Sequence, residues 1–184
     1  MRGVDPWTAW FDMIVEEKGY VRWLNFRGES YEDMYNRQFE ELAKIPYVSI
    51  ESDGPIESPR GVTVTSVDPR SYGTFPLVLS EYVRKRKTLS WEDAVMKITS
   101  NPAHAIGLKD RGLLKKGYWA DVTIFDPETV EHRANFKNCL EVSQGINHDI
   151  YPVGVEYTIV NGVTVMEKGK ITGERPGHVL RNNK

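Results

Sequence analysis

Tyr47-Val48-Ser49-Ile50-Glu51-Ser52-Asp53-Gly54-Pro55 is the stretch on which the reading of this chain turns. Tyr47, Val48 and Ile50 favour a pleated, half-buried strand; Pro46 bounds it upstream, and Gly54-Pro55 ends it by adding a flexible residue and then removing an amide donor. The predicted strand, residues 47 to 51, therefore stops just short of a carboxylate. In a barrel of alternating strands and helices, the residue past the C-terminal end of a strand faces the active-site mouth, where a lone acid can act as general base. Asp before Gly is equally what an ordinary turn needs, because Asp bonds its own backbone and Gly accepts positive φ. The pattern alone leaves both roles open for Asp53 and leans toward the turn.

Upstream, Asp5-Pro6 is a helix start, with Trp7, Trp10, Phe11, Ile14 and Val15 following at helical spacing toward Gly19. Val21 to Phe26 reads as a strand. Ser30-Tyr31-Glu32-Asp33 has the form of a capping box opening a helix that Pro46 brings to an end. Helix, strand, helix, strand, with a long connection between the strands, predicts a parallel crossover in an α/β sheet or barrel.

Downstream, Gly54 to Tyr72 holds Pro55, Pro59 and Pro69 without a sustained apolar period, which predicts a long loop at the functional end. Thr74 to Val83 returns to helical spacing, and Ser90-Trp91-Glu92-Asp93 starts another helix that Pro102 interrupts or succeeds. Beyond residue 108, short β-rich segments appear, Ala120 to Phe125 and Glu156 to Val165, so a domain boundary is expected there, giving domains of 1–108 and 109–184. Asn161-Gly162 between two apolar runs is the strongest hairpin signal, since both central positions tolerate positive φ. Residues 132 to 152 are poorly patterned and predict an excursion loop.

The chain has 184 residues, 40% of them hydrophobic, with 24 Lys and Arg against 26 Asp and Glu. That length suits one good core or two small ones, and the balance gives no global field for nucleic acid or an anionic membrane. Arg84-Lys85-Arg86-Lys87 is locally basic, yet it falls at a predicted helix end, where cations complement the carbonyl dipole. A single cysteine, Cys139, rules out an internal disulfide or a thiolate metal cluster. No long apolar run or signal peptide is legible, and a cytoplasmic location is expected. His104, His132, His148 and His178 show no H-x-H spacing, so no metal site emerges and packing or surface roles are expected for them. No nucleophile elbow or phosphate-binding glycine pattern is present.

Longer motifs add to this. Thr99-Ser100-Asn101-Pro102-Ala103, Gly107-Leu108, Arg111-Gly112 and Lys116-Gly117-Tyr118-Trp119-Ala120-Asp121-Val122-Thr123-Ile124-Phe125-Asp126-Pro127 together resemble the C-terminal signature of the amidohydrolase superfamily. Ser52-Asp53-Gly54, Pro69-Arg70-Ser71-Tyr72-Gly73-Thr74-Phe75-Pro76 and Tyr82-Val83-Arg84 resemble the N-acyl-D-amino-acid deacylases, or D-aminoacylases, as does the ending Val160-Asn161-Gly162, Gly169, Thr172-Gly173 and Arg175-Pro176-Gly177.

The resemblance implies the C-terminal part of a (β/α)8 TIM-like barrel followed by part of a small β-sandwich. It also implies a zinc-dependent hydrolase of N-acyl-D-amino acids, in which the metal polarises the acyl carbonyl and activates water. Asp53 matches the family's general base, and Arg70 matches the arginine that holds the substrate's α-carboxylate. Gly54 and Gly73 match glycines that shape the site mouth. Asp68 stands where the family pattern usually has histidine. The family's metal ligands belong to a region absent from this sequence. Zinc is therefore expected in the full-length enzyme and not in this chain, which is expected to be inactive without its missing N-terminal part and to self-associate. Two other readings stay open: another amidohydrolase, such as a hydantoinase or dihydroorotase relative, and a non-catalytic self-associating module.

Overall fold

The computed structural model describes residues 3–18, 29–55, 68–146 and 150–181, and the chain divides into two compact units, 1–37 and 38–184. In the first unit, helix α1 (Pro6–Glu16) opens as its sequence predicts. Asp5 caps it, its Oδ1 accepting the amides of Trp7 at 3.0 Å and Thr8 at 3.1 Å, and Pro6 supplies the first helical φ. The strand predicted over Val21 to Phe26 and the histidine at 148 lie outside the described residues. Helix α2 (Glu29–Ala43) crosses from one unit to the next and starts a residue ahead of Ser30, which is thus inside the helix and not its cap.

Within the second unit, Tyr47 to Glu51 forms no ladder with any described strand. The polar groups of its backbone are met by side chains and backbone of a helix instead: Ile50 N–H donates to the carbonyl of Lys97 at 3.0 Å. The long predicted loop ends earlier than its composition implied. Helix α3 (Arg70–Leu77) begins at Arg70 and runs into a π-helical segment, Val78–Lys85. Asp68-Pro69 is a variant of the Asp5-Pro6 start: Pro69 is itself the cap residue, in helical backbone, and Asp68 Oδ1 accepts the Arg70 amide at 3.1 Å from one residue further out. The π-helical segment buries Val78, Leu79, Tyr82 and Val83, the face its spacing predicts.

Helix α4 (Trp91–Ile98) starts at Ser90, whose Oγ accepts the Asp93 amide at 3.0 Å. Thr99 breaks the helix, and α5 (Ser100–Ala105) carries Pro102 in its first turn, where no amide is needed. Gly107, at φ +81, closes α5: Leu108 N–H reaches the Ala103 carbonyl at 2.8 Å and Gly107 N–H that of His104 at 3.0 Å.

The described sheet is wholly antiparallel, β1 (Val122–Phe125), β2 (Val155–Val160), β3 (Val163–Glu167) and β4 (Lys170–Ile171) lying in that order, so the parallel pair expected in the first half is not among the described strands. Asn161 at φ +49 and Gly162 at φ +82 make the predicted hairpin turn, and Lys168 at φ +46 with Gly169 at φ +76 make a second one. Residues predicted as an excursion loop include helix α6 (Phe136–Ser143). Its cap is a reciprocal pair of asparagines, Asn135 and Asn138, with contacts of 2.8 and 3.0 Å, in place of the Ser/Thr and Glu/Gln of the usual pattern.

The main core joins Ala43, Ile50, Val78, Leu79, Val83, Leu89, Ala94 and Val130, with Phe125 and Val155 of the sheet packed against it. Trp91 and Phe125 meet at 5.8 Å between ring centroids, so helices and sheet share one apolar layer. A smaller cluster of Ala134, Cys139, Val142 and Ile150 packs against Tyr72 of α3.

Candidate active site

Ile50 is buried in the main core, and three residues beyond it the chain turns outward at Asp53. Asp53 itself adopts φ +46, and no positive φ occurs at Gly54. The turn thus uses the tolerance of aspartate for left-handed backbone, the reverse of the expected division of labour. Ser52 Oγ accepts the Gly54 amide at 3.1 Å and fixes the corner. The glycine is needed for space: a Cβ there would stand 3.0 Å from Ser71 Cα and 3.2 Å from Ser71 Oγ. Gly73 is likewise a close-approach position, where a Cβ would lie 3.1 Å from Ala134 Cβ and 3.6 Å from His132 Cβ.

This packing sets the start of α3 beside the corner, and the two predicted functional residues meet. Arg70 Nη1 lies 3.1 Å from Asp53 Oδ2, and Arg70 Nε lies 3.1 Å from Asp68 Oδ2. One guanidinium therefore serves two carboxylates, leaving the trio at net charge −1. The Asp53 side chain is 80% exposed and that of Arg70 47%, so water screens the pairs and each adds little to stability, about 0–1 kcal/mol. Arg70 Nη2 has no protein partner among the described residues, which leaves one end of the fork open to an anion. Ser71 Oγ beside them is buried and has no hydrogen-bond partner among the described residues.

The histidines divide as follows. His104 is exposed on α5, and His132 lies beside Gly73 with Nε2 3.8 Å from Glu131 Oε1. His178 packs edge-on to Trp119 and meets Asn161 Nδ2 at 3.1 Å. No group of three or more His, Cys, Asp or Glu among the described residues is arranged to hold a metal ion.

Two further sets of residues escaped the sequence reading. Lys97, 2% exposed, directs its ammonium to backbone carbonyls of Ile45 and Val48. Arg111 pairs with Asp121 and donates to Asn161 Oδ1 at 2.7 Å, while Asn161 Nδ2 donates to the Pro176 carbonyl at 2.7 Å. That clasp gives several signature residues a structural role, tying the hairpin tip to the C-terminal strap. The basic run is at a helix end as expected but not merely solvated. Arg84 Nη2 and Lys85 reach Glu131 at 2.8 and 2.9 Å, and Arg86 reaches Glu81 at 2.7 Å and Glu40 at 3.3 Å. No helix among the described residues is long and apolar enough to cross a membrane.

The profile of the Amidohydrolase family matches residues 14–166, and the chain belongs to that family. It is 39% identical over 169 residues to N-acyl-D-aspartate deacylase of Alcaligenes xylosoxydans xylosoxydans, covering 92% of this chain and 31% of that one. D-aminoacylase of the same organism is 41% identical over 112 residues, 61% of this chain and 21% of that one. A dihydroorotase of Lactobacillus acidophilus is 34% identical over 100 residues, 52% of this chain and 23% of that one. Among solved structures, N-acyl-D-glutamate deacylase from Bordetella bronchiseptica, complexed with zinc and a phosphonate inhibitor, matches with a TM-score of 0.53 at 37% identity, over 62% of this chain and 22% of that one. A D-aminoacylase mutant in complex with copper chloride matches with a TM-score of 0.55 at 36% identity and the same coverage of both chains. The chain spans about a third or less of the length of the curated relatives it matches.

Proposed function

We propose that this chain is the C-terminal portion of a hydrolase that cleaves N-acyl-D-amino acids to a carboxylate and a D-amino acid. The observation that supports it most is the meeting of Asp53 with Arg70, residues 17 apart in sequence, at a corner shaped by Gly54 and Gly73. In this reading Asp53 takes a proton from the attacking water and delivers it to the leaving amine, for which an exposed carboxylate is suited. Arg70 offers its open Nη2 edge to the substrate's α-carboxylate, and Gly54 and Gly73 keep the mouth narrow. The likeness to the deacylases, 39% over 92% of the chain against 34% over 52% for the dihydroorotase, favours a linear amide over a cyclic one.

Residues 1–108 are read as the last part of a barrel and 109–184 as part of a small β domain, the four-stranded antiparallel sheet supplying the latter. The described residues do not make a zinc site, and the ligands of a zinc ion would come from outside them. The unpaired edge of β1 among the described strands supports self-association of the isolated chain. Light scattering should show dimers or larger species, and a compact monomer at low micromolar concentration would count against that part of the reading.

The decisive experiment joins this chain to the N-terminal portion of D-aminoacylase, loads zinc and measures hydrolysis of N-acetyl-D-amino acids. The chain alone should be inactive and the joined protein active. Asp53→Asn in the joined protein should lower kcat by about 10²–10⁴-fold while zinc content and fold persist. Wild-type rates in that variant would make Asp53 a turn residue and sink the mechanism.

A further inference from the structure

The backbone that leads to Asp53 is held by helices α4 and α5 through four hydrogen bonds. Lys97 Nζ donates to the carbonyls of Ile45 at 2.5 Å and Val48 at 3.1 Å, and the Lys97 carbonyl accepts Ile50 N–H at 3.0 Å. Asn101 Nδ2 donates to the Pro46 carbonyl at 3.0 Å. These contacts fall at residues 45, 46, 48 and 50, a segment that has no ladder partner among the described strands.

Lys97 is the largest fully buried side chain described, and it has no carboxylate partner there. Burying an ammonium without a counter-ion is costly unless its protons are accepted. A core position on α4, beside fully buried Ala94, would ordinarily hold an apolar residue. What lysine provides here, and leucine or methionine cannot, is a pair of charge-assisted donors at the end of a four-carbon reach.

We propose that Lys97, supported by Asn101, is a positioning residue for Asp53, setting the register of residues 45 to 53 so that the carboxylate arrives beside Arg70. Residues 45 to 48 make a turn, closed by Val48 N–H on the Ile45 carbonyl at 3.1 Å, and a shift of one residue past that turn moves every following group by about 3.8 Å, one Cα–Cα step. The Asp53–Arg70 contact is 3.1 Å, so such a slip abolishes it. Ile50 anchors the same segment through its side chain, but apolar packing resists a slip less sharply than directional bonds at both its amide and the neighbouring carbonyls. The catalytic meaning of this brace rests on the proposed role of Asp53; the positional claim does not.

The positional claim is tested in the chain as it stands. Lys97→Met keeps the stem and removes the donors. Far-UV circular dichroism should be retained, amide exchange at Ile50 should accelerate at least tenfold, and the Nη1–H resonance of Arg70, the one that faces Asp53, should lose its dependence on Asp53, measured against Asp53→Asn. Ala94→Gly, a destabilising change on the same helix, should leave the Arg70 signal in place. If Lys97→Met fails to fold, Asn101→Ala, outside the main core, should show the same changes in weaker form. An Arg70 resonance unchanged in Lys97→Met, or in Asn101→Ala where that variant carries the test, overturns the proposal. In the joined, zinc-loaded enzyme, the positioning variant should lower kcat about 10²-fold with KM within about twofold, the cost of a misplaced reacting group. If Asp53→Asn is fully active there while the Arg70 resonance still responds to Lys97, the reading of Asp53 as base fails and the brace survives.

Discussion

Arg70 is asked to do two things with one planar group, and its geometry separates them. Nε and the amide face Asp68, Nη1 faces Asp53, and Nη2 has no protein partner among the described residues. Asp68, standing where the family pattern usually has histidine, orients the guanidinium and adds a negative charge beside it. Arg70→Lys in the joined enzyme removes the fork while keeping the charge. KM should rise by about tenfold or more for substrates with a free α-carboxylate, the loss of one bidentate charge-assisted contact, and change little for their amides. Equal effects on both substrate types would show that Arg70 does not read the carboxylate. At this scale the sequence made the identity of Asp53 and Arg70 legible through motif resemblance, but not their contact, because 17 intervening residues carry no periodicity that fixes their distance. Lys97 was illegible for a different reason: a lysine in an amphipathic helix reads as solvent-facing, and only the fold reveals the two backbone carbonyls that its ammonium reaches.

The elements followed their local chemistry where the side chains matched a familiar capping or turn type, and departed from prediction where an equivalent set of atoms came from other residues. Asp5-Pro6, Ser90 and Asn161-Gly162 each placed an element boundary correctly. Asp68-Pro69 and the Asn135–Asn138 pair supply the same acceptors and donors, yet prolines around the first and sparse apolar spacing around the second obscured α3 and α6. The segment 47–51 has strand-forming residues but no described strand beside it, and a ladder depends on a neighbour as well as on propensity. Ser90→Ala is the direct test of an element held by its cap. The Asp93 amide loses its acceptor, and the chain should be destabilised by about 1 kcal/mol. Because α4 carries Lys97, exchange at Ile50 should quicken with it. A urea midpoint unchanged by Ser90→Ala would mean that core packing of Ala94 and Lys97 alone fixes the start of the helix.

Across the second unit, the segment 126 to 131 is fastened to the π-helical segment by charge. Arg84 bonds the carbonyls of Val130 and Pro127 as well as Glu131, and Lys85 bridges Glu131 and Glu81. Arg86 holds Glu81 below the usual glutamate value through its hydrogen bond, with burial opposing and the nearby cations helping. At Glu131 burial is the largest influence and pushes upward, but hydrogen bonds from Lys85 and Ser80 and the charges of Lys85 and Arg84 together outweigh it, so its carboxyl too is lowered. A carboxyl with a lowered folded pKa contributes stability that is fully present above its unfolded value of 4.5 and is lost as pH falls through the lower folded value. The chain should therefore keep its urea midpoint from pH 7 down to about 5 and lose stability steeply below that, with these two glutamates carrying part of the slope. The two glutamate side chains are 26% and 29% exposed and their cationic partners between 22% and 49%, so salt screening trims the effect without abolishing it. Glu131→Gln keeps an acceptor for Arg84 and Lys85 but cannot titrate. It should lower stability at pH 7 and flatten the acid limb, bringing variant and parent together as pH falls through the lowered folded value. Parallel acid limbs for parent and Glu131→Gln would show that Glu131 is not among the groups whose protonation loosens the fold.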